Sequence, residues 1–380
     1  IEIAEDIVSE TFLAAAENWG LRGVPENPTA WIYAVAKQKA LYHFRRNKIL
    51  EQRVLPEITA RQEASDNMEL DFSDENIRDS QLKMIFAVCN PAIASEAQIG
   101  LALRVLCGFG IDEIAEAFLT NKETINKRLF RAKEKLRAEK IAMEMPPDTA
   151  LSDRLDNVLR VIYLLFNEGY YSRTQNRVLQ KDVCYDAMCL ALVLTEYERT
   201  NLPKTNALLA LMCFHASRFD ARQPANGAHF LYDEQDESLW DQQLIKEGVR
   251  FLVASAEGNE ISSYHLEARI AYWHCTKEDT MSKWREILSL YDQLLMINFS
   301  PAVALNRIFA LSKVKGINAA LAEAEKLGIE DSHFYFLLLG ELYTGIDALR
   351  ARASFERSLA LAKTPMEKEV IQSRIDNLKK

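Results

Sequence analysis

The stretch Gly108–Arg137, GFGIDEIAEAFLTNKETINKRLFRAKEKLR, decides how the first part of this chain folds. Apolar residues recur at helical spacing on both sides of a polar turn near Thr120, so the pattern predicts two helices joined by three or four residues. One face of the second helix is expected to be buried. The residues that share this face are Ile125, Leu129, Ala132 and Leu136.

The second of these helices is strongly basic. Between Asn121 and Lys140 there are eight Lys or Arg residues against three Glu, a local charge of +5 in a chain whose total is −9. Thr120 and Glu123 have the spacing of a capping box, which predicts that the helix is capped at Thr120. This is the layout of a helix-turn-helix whose second helix enters a DNA major groove. The alternative is a solvated face, because the same geometry occurs in proteins that bind no nucleic acid.

Composition indicates an all-α protein of two or three domains. The chain has 380 residues, only 13 Gly and 10 Pro, and apolar patterns dominated by the helical period. Its six cysteines form no C-x-x-C pair and are expected to be reduced core residues. No apolar run of membrane-span length and no signal peptide occur, which favours a cytoplasmic protein without a membrane partner. We expect no metal, no cofactor and no enzyme activity, because no phosphate loop, H-E-x-x-H or nucleophile elbow is present.

The first 20 residues form an amphipathic helical pattern with an acidic outer face, which is either solvated or a docking face for a basic partner. The apolar residues expected to point inward are Ile3, Ile7, Val8, Phe12, Leu13 and Ala16. The acidic residues on the other side are Glu2, Glu5, Asp6, Glu10 and Glu17.

A basic and aromatic helix is predicted over residues 28–48, where Asn27 and Pro28 provide a start signal. Residues 37–53 hold six Lys or Arg against Glu51. Aromatic rings between basic groups are typical of single-stranded nucleic-acid binding, although Trp31 taken alone is better explained as core. Residues 57–79 then carry eight Asp or Glu against two Arg, which indicates an acidic linker.

These stretches together resemble the group IV (extracytoplasmic-function) sigma factors of bacterial RNA polymerase. AEDIVSETFLAAAENW (residues 4–19) looks like the helix that docks on the polymerase clamp, and NPTAWIYAVAKQKALYHFRRNK (27–48) looks like the helix that reads the −10 element. FGIDEIAEAFLTNKETINKRLFRAKEKLR (109–137) looks like the helix-turn-helix that reads the −35 element. In the family another helix precedes the clamp-binding one, and we expect this sequence to lack it.

The resemblance implies two partners, core RNA polymerase and promoter DNA, and a set of contact residues for each. The polymerase contacts would be Asp6, Glu10 and Thr11. The −10 contacts would be Trp31, Lys39, His43 and Arg46. The −35 contacts would be Lys122, Glu123, Asn126, Lys127, Phe130 and Arg131.

The remaining chain, beyond Met145-Pro146-Pro147, continues as helices and ends in a repeat. Ala304-Leu305 overlays Leu338-Leu339 at a spacing of 34 residues, the tetratricopeptide (TPR) period. Stacked helical pairs form a concave surface that would bind a regulatory protein or peptide. The whole layout resembles the sigma-factor subgroup with a fused C-terminal TPR-like extension, which is thought to replace a separate anti-sigma factor.

The predicted domains follow from this layout. They are sigma region 2 at 1–55, an acidic linker at 56–79, sigma region 4 at 80–143, a helical extension at 144–260 and TPR-like repeats at 261–380.

Two other functions remain open on sequence grounds. A one-component regulator would pair an operator-binding helix-turn-helix with a ligand-sensing TPR-like half, but it leaves the helix at 28–48 unexplained. An enzyme within 151–260 would depend on Glu168, which is followed by an expected helix stop at Gly169. It would also use the polar loop that contains His229, Asp233, Glu234 and Asp236.

Overall fold

A computed structural model describes residues 2–25, 28–29, 31–33, 35–36, 39, 74–107, 109–118, 120–170, 181–222, 235–297, 299–363 and 365–378. Helices form the regular structure of these residues, and no strand occurs among them, so the predicted all-α fold is confirmed. The chain divides into two compact units. The first comprises Ile1–Ala87 and Lys133–Met145, and the second comprises Val88–Ala132 and Pro146–Lys380.

The first unit contains helix α1 (Glu2–Arg22), helical residues between 28 and 39, and most of helix α2 (Asp74–Val88). Helix α1 packs through a stripe of residues four apart, in which Thr11 and Ala15 are buried and Trp19 meets Trp31 edge-on, with ring centroids 5.5 Å apart. Small side chains at the first two positions permit close helix approach. The Tyr33 hydroxyl hydrogen-bonds with the Gln81 side chain of α2.

The predicted inward face of α1 is wrong. Val8, Phe12 and Leu13 are 49%, 56% and 60% exposed, whereas Thr11 and Ala15 are buried. The sequence correctly predicted a helix here, but the contact between Trp19 and Trp31, which only the fold brings about, decides which residues of α1 pack.

The predicted two-helix stretch lies between helix α3 (Ser95–Leu101) and the extension. A π-helical segment, Ala102–Leu106, follows α3, and helices α4 (Ile111–Ala117) and α5 (Lys122–Ala138) come next. The predicted cap at Thr120 is wrong by one residue. The Thr120 N–H donates to the Ala115 carbonyl (2.9 Å) and so completes the end of α4, whereas the Asn121 side chain accepts from the Thr124 N–H (2.8 Å) and caps α5.

The helical extension packs around one almost fully buried helix. Its helices are α6 (Asp148–Tyr170), α7 (Lys181–Thr195), α8 (Pro203–Ala216), α9 (Phe219–Arg222) and α10 (Gln242–Ala254), with a 3-10 turn at Glu237–Leu239. Helix α8 is buried from Thr205 to Phe214. Gly248 allows α10 to approach it, since a Cβ there would lie 2.6 Å from the Phe214 ring.

The helix stop predicted at Gly169 is also wrong. Helix α6 continues through this glycine to Tyr170, and Gly169 is absent from the glycines of positive φ among the described residues. Continuation places the Tyr170 ring 5.8 Å from Phe166 and 6.0 Å from Phe219, and the Arg222 guanidinium lies 4.3 Å over it. These aromatic contacts stabilise the last turn of α6.

The C-terminal third consists of three successive helical pairs followed by one further helix. The helices are α11 (Ser263–Trp273), α12 (Met281–Ile297), α13 (Pro301–Lys315), α14 (Ile317–Leu327), α15 (His333–Tyr343), α16 (Ala348–Leu361) and α17 (Pro365–Asn377). Each successive helix packs on its neighbour. Ala304 and Leu305 are buried, whereas Leu338 and Leu339, which the 34-residue overlay aligned with them, are half-buried. That these pairs serve as a TPR-like binding surface stays a prediction.

Candidate nucleic-acid and polymerase interfaces

Helix α5 presents the predicted −35 residues on its solvent face. Ile125, Leu129 and Ala132 are at most 4% exposed and fix the orientation of the helix, while Leu136, the fourth residue of the predicted buried face, is half-buried. Phe130 is 59% exposed, which is unusual for a phenylalanine without a partner. The remaining predicted −35 residues, all of which are exposed, are Lys122, Glu123, Asn126, Lys127 and Arg131.

Four basic residues of α5 form ion pairs with other described residues, among them Lys135 with Glu139 and Arg137 with Glu134. Lys122 forms an ion pair with Asp112 of α4 (2.5 Å), and Arg128 forms one with Glu96 of α3 (3.0 Å) while its guanidinium lies 5.4 Å from the Phe118 ring centroid. Within the described part of the chain, Lys127 and Arg131 form no ion pair. Their charges are therefore available to an external anion.

The exposed side chains of α5 suit the major groove chemically. Lys and Arg bind phosphates or the O6 and N7 atoms of guanine, Asn bonds adenine, and Phe contacts the thymine methyl group. Arg131, Lys127 and Asn126 lie within two turns of the same face, together with Phe130. One face thus carries phosphate-binding, base-reading and apolar groups.

The outer face of α1 differs in part from the prediction. Asp6 and Glu10 are exposed. Thr11 is only 1% exposed and its hydroxyl donates to the Ile7 carbonyl (2.6 Å), so its side chain is unsuited to a direct polymerase contact. The exposed apolar residues Val8, Phe12 and Leu13 were missed as surface residues.

Lys39, a predicted −10 contact, forms an ion pair with Glu10, a predicted polymerase contact. The Lys39 ammonium lies 2.9 Å from the Glu10 carboxylate, and both groups are partly exposed. Trp31 is half-buried against Trp19, which favours a packing role. His43 and Arg46 lie outside the described residues. The two sets of contact residues are thus adjacent at Glu10 and Lys39.

Residues considered for catalysis or metal binding do not assemble in the described ranges. No group of three or more His, Cys, Asp or Glu side chains suited to a metal occurs there. Asp236 caps the 3-10 turn by accepting from the Ser238 N–H (2.9 Å), while His229, Asp233 and Glu234 lie outside the described residues. Glu168 is half-buried in α6. Among the helices that the structure describes, none has the length and apolarity needed to cross a bilayer.

Comparison with known proteins finds two family models and one long relative. Residues 2–49 match sigma-70 region 2, and residues 154–256 match a family of unknown function (DUF6596). An uncharacterized protein of Rhizobium meliloti (strain 1021) is 33% identical over 386 residues, covering all of this chain and 90% of that relative. No solved structure matches the chain. The first match contains α1 and the helical residues up to 39, and the second begins inside α6 and ends just after α10.

Proposed function

This chain belongs to one family with the Rhizobium meliloti protein and, through its region 2, to the sigma-70 family, and on that premise we propose that it is an alternative sigma factor of the extracytoplasmic-function type. It directs core RNA polymerase to a specific set of promoters and initiates transcription there. The observation that carries the proposal is the exposed basic face of α5 in a chain whose residues 2–49 match sigma-70 region 2.

The −35 element is read by α5 in this proposal. Lys127 and Arg131 neutralise phosphates or bond guanine, and Asn126 and Phe130 contact base edges. Because phosphate contacts release counterions, duplex affinity falls as salt rises, with a slope set by the number of neutralised phosphates.

The polymerase contact is made by the outer face of α1. Asp6 and Glu10 supply charge, and the exposed Leu13, which lies on the same side of the helix three residues after Glu10, supplies apolar surface. Lys39 belongs to the −10 contact, with His43 and Arg46 as further proposed members. Thr11 acts from behind this face by fixing the packing of α1.

The helical extension and the TPR-like repeats regulate this activity through protein contacts, within the chain or with a separate protein or peptide. Several exposed apolar residues of the repeats are available for such a contact. Examples are Met296, Phe299, Phe309, Phe334 and Leu349.

The DNA assignment is tested by the double substitution Lys127→Ala with Arg131→Ala. We expect binding to the cognate −35 duplex to weaken about tenfold or more, and the slope of log affinity against log salt to become shallower by about 2. Fluorescence anisotropy at several salt concentrations measures both quantities. The matched control is Arg285→Ala with Lys326→Ala, two exposed basic residues of the repeats. Equal affinity and slope in both double variants would show that α5 does not bind DNA.

Run-off transcription tests the sigma activity itself. Core polymerase would be combined with the full chain, or with a chain cut after Lys140, on DNA from upstream of its own gene. A start-site-specific transcript from the full chain supports the proposal, and more transcript from the cut chain than from the full chain would show that the extension inhibits. Tight duplex binding with no transcript and no association with core would indicate a one-component regulator instead.

A further inference from the structure

A hydrogen-bond network joins the segment that precedes the predicted helix-turn-helix to the first helix of the extension. The Asn157 side-chain amide on α6 donates to the Cys89 carbonyl (2.5 Å) and to the Gln98 side-chain oxygen on α3 (2.8 Å). The Gln98 amide in turn donates to the Ile93 carbonyl (2.7 Å). Both hydrogens of the Asn157 amide are therefore used by the segment that precedes and contains α3.

This network lies in the interior. Gln98 is 2% exposed, and the turn that it closes is ordered by Asn90, which is also buried and accepts from the Ala92 N–H (2.9 Å). Asn157 bonds partners 59 and 68 residues away in sequence. A half-buried amide whose two donors both satisfy distant acceptors favours one arrangement of the two segments, because a slip leaves the buried Gln98 amide without this partner.

Helix α3 also contacts the predicted recognition helix directly. Gly100 faces Leu129, whose Cδ2 atom lies 3.2 Å from where a Cβ on the glycine would be. Glu96 forms the ion pair with Arg128 of α5. Helix α3 therefore lies between α6 and α5 and touches both through side chains only a few residues apart.

From this arrangement we propose that Asn157 is a positioning residue for DNA recognition, which makes the first helix of the extension a structural part of the recognition module. Asn157 hydrogen-bonds to Gln98 and to the 89–94 turn, and so fixes the position of α3. Helix α3 in turn contacts Leu129 and Arg128, and these contacts fix the orientation of the solvent face of α5. The extension and the recognition helix then move as one body. The DNA-binding part of this inference rests on the proposed function, whereas the coupling between α6 and α3 does not.

Hydrogen exchange in the full chain tests the coupling without DNA. Asn157→Asp presents a carboxylate to two acceptors, and Asn157→Leu leaves both acceptors unpaired, so we expect residues 95–132 to exchange about tenfold to hundredfold faster in either variant. Asp153→Ala, on the exposed side of the same helix, is the matched control and should leave exchange there unchanged. Unchanged exchange of residues 95–132 in both Asn157 variants would overturn the proposal.

A second pair of variants distinguishes a specific bond from general destabilisation. Gln98→Leu alone and Gln98→Leu with Asn157→Leu are compared with Asn157→Leu. Because replacing both partners by apolar groups removes the unpaired amide, the double variant should exchange no faster than the more affected single variant. If the increases in exchange rate of the two single variants multiply in the double variant, the two residues act independently, and this result would contradict the network.

Duplex binding supplies the readout that a purely structural role would not move. Asn157→Asp should weaken binding to the −35 duplex about tenfold with an unchanged salt slope, since the phosphate contacts on α5 remain the same. If the unaltered chain binds no duplex while the exchange effect appears, the coupling stands and the proposed function fails. If exchange accelerates but duplex affinity does not change, the positioning role is wrong.

Discussion

At the scale of single residues, His215 shows how burial changes the chemistry of this extension. It lies on α8 with its ring centroid 4.9 Å from that of Tyr170. Burial, with the nearby charges of Arg218 and Arg222, lowers the pKa of His215 to about 3. The His274 pKa is lowered to about 3 as well, first by burial and then by Arg218 and Lys283. Both imidazoles are therefore neutral in the folded protein.

These depressed pKa values predict acid sensitivity between pH 6.5 and 3. Below pH 6.5 the two imidazoles bind protons in the unfolded chain but stay unprotonated in the folded protein. The free energy of unfolding therefore falls as pH falls. From pH 7 to 5 the loss is about 2 kcal/mol for each histidine. Urea unfolding of the extension at the two pH values measures it. His215→Phe should reduce the pH dependence, and an unchanged difference between pH 7 and pH 5 would show that His215 does not contribute.

A second residue-scale prediction concerns Gly340, on which Phe355 of the next helix packs. A Cβ at this position would lie 2.4 Å from the buried Phe355 ring. Gly340→Ala should therefore destabilise α15 and α16 by about 1–3 kcal/mol, in spite of the better helix propensity of alanine. Gly20→Ala in α1, where a Cβ meets no atom within 4 Å, is the control and should be neutral or stabilising. Hydrogen exchange of α15 and α16 in the first variant, and of α1 in the second, measures the outcome. Equal effects at the two sites would refute the packing argument.

At the scale of helices, the junction between α4 and α5 depends on which residue caps the second helix. Asn121→Ala removes the acceptor of the Thr124 N–H and should cost about 1 kcal/mol at the start of α5. Thr120→Ala should cost less, because Thr120 contributes its backbone N–H to the end of α4. Exchange of the Thr124 amide separates the two. A larger destabilisation by Thr120→Ala than by Asn121→Ala would support the capping box predicted from the sequence.

At the scale of the whole molecule, the second unit contains both the core of the helix-turn-helix and the extension. A chain ending at Lys140 lacks Asn157 and leaves the buried Gln98 and the Cys89 carbonyl without their partner. We expect residues 95–132 of that fragment to exchange faster than in the full chain. Exchange at the full-chain rate would mean that the helix-turn-helix folds independently of the extension.

Sequence reasoning succeeded where a helical stripe had one apolar face. The buried Ile125, Leu129 and Ala132 of α5 follow from spacing alone. It failed in α1, where Val8 and Phe12 are exposed although they lie on the same side as the half-buried Trp19, and where a neighbouring backbone group decided a cap, as at Thr120. It could not identify Asn157 and Gln98, because their partnership joins residues 59 apart and only the fold brings them together. The predicted contact residues remain to be tested by binding.

The ion pair between Glu10 and Lys39 has a consequence for the order in which partners bind. Each residue is proposed to meet a different partner, so in the free protein each masks the other's charge. When polymerase engages Glu10, Lys39 is released towards DNA, and reciprocity requires that DNA engaging Lys39 strengthen the hold on polymerase equally. An exposed pair of this kind supplies up to about 1 kcal/mol, or roughly fivefold. Lys39→Gln should therefore bind core polymerase up to about fivefold more tightly without DNA, and no gain would show that the two events are independent.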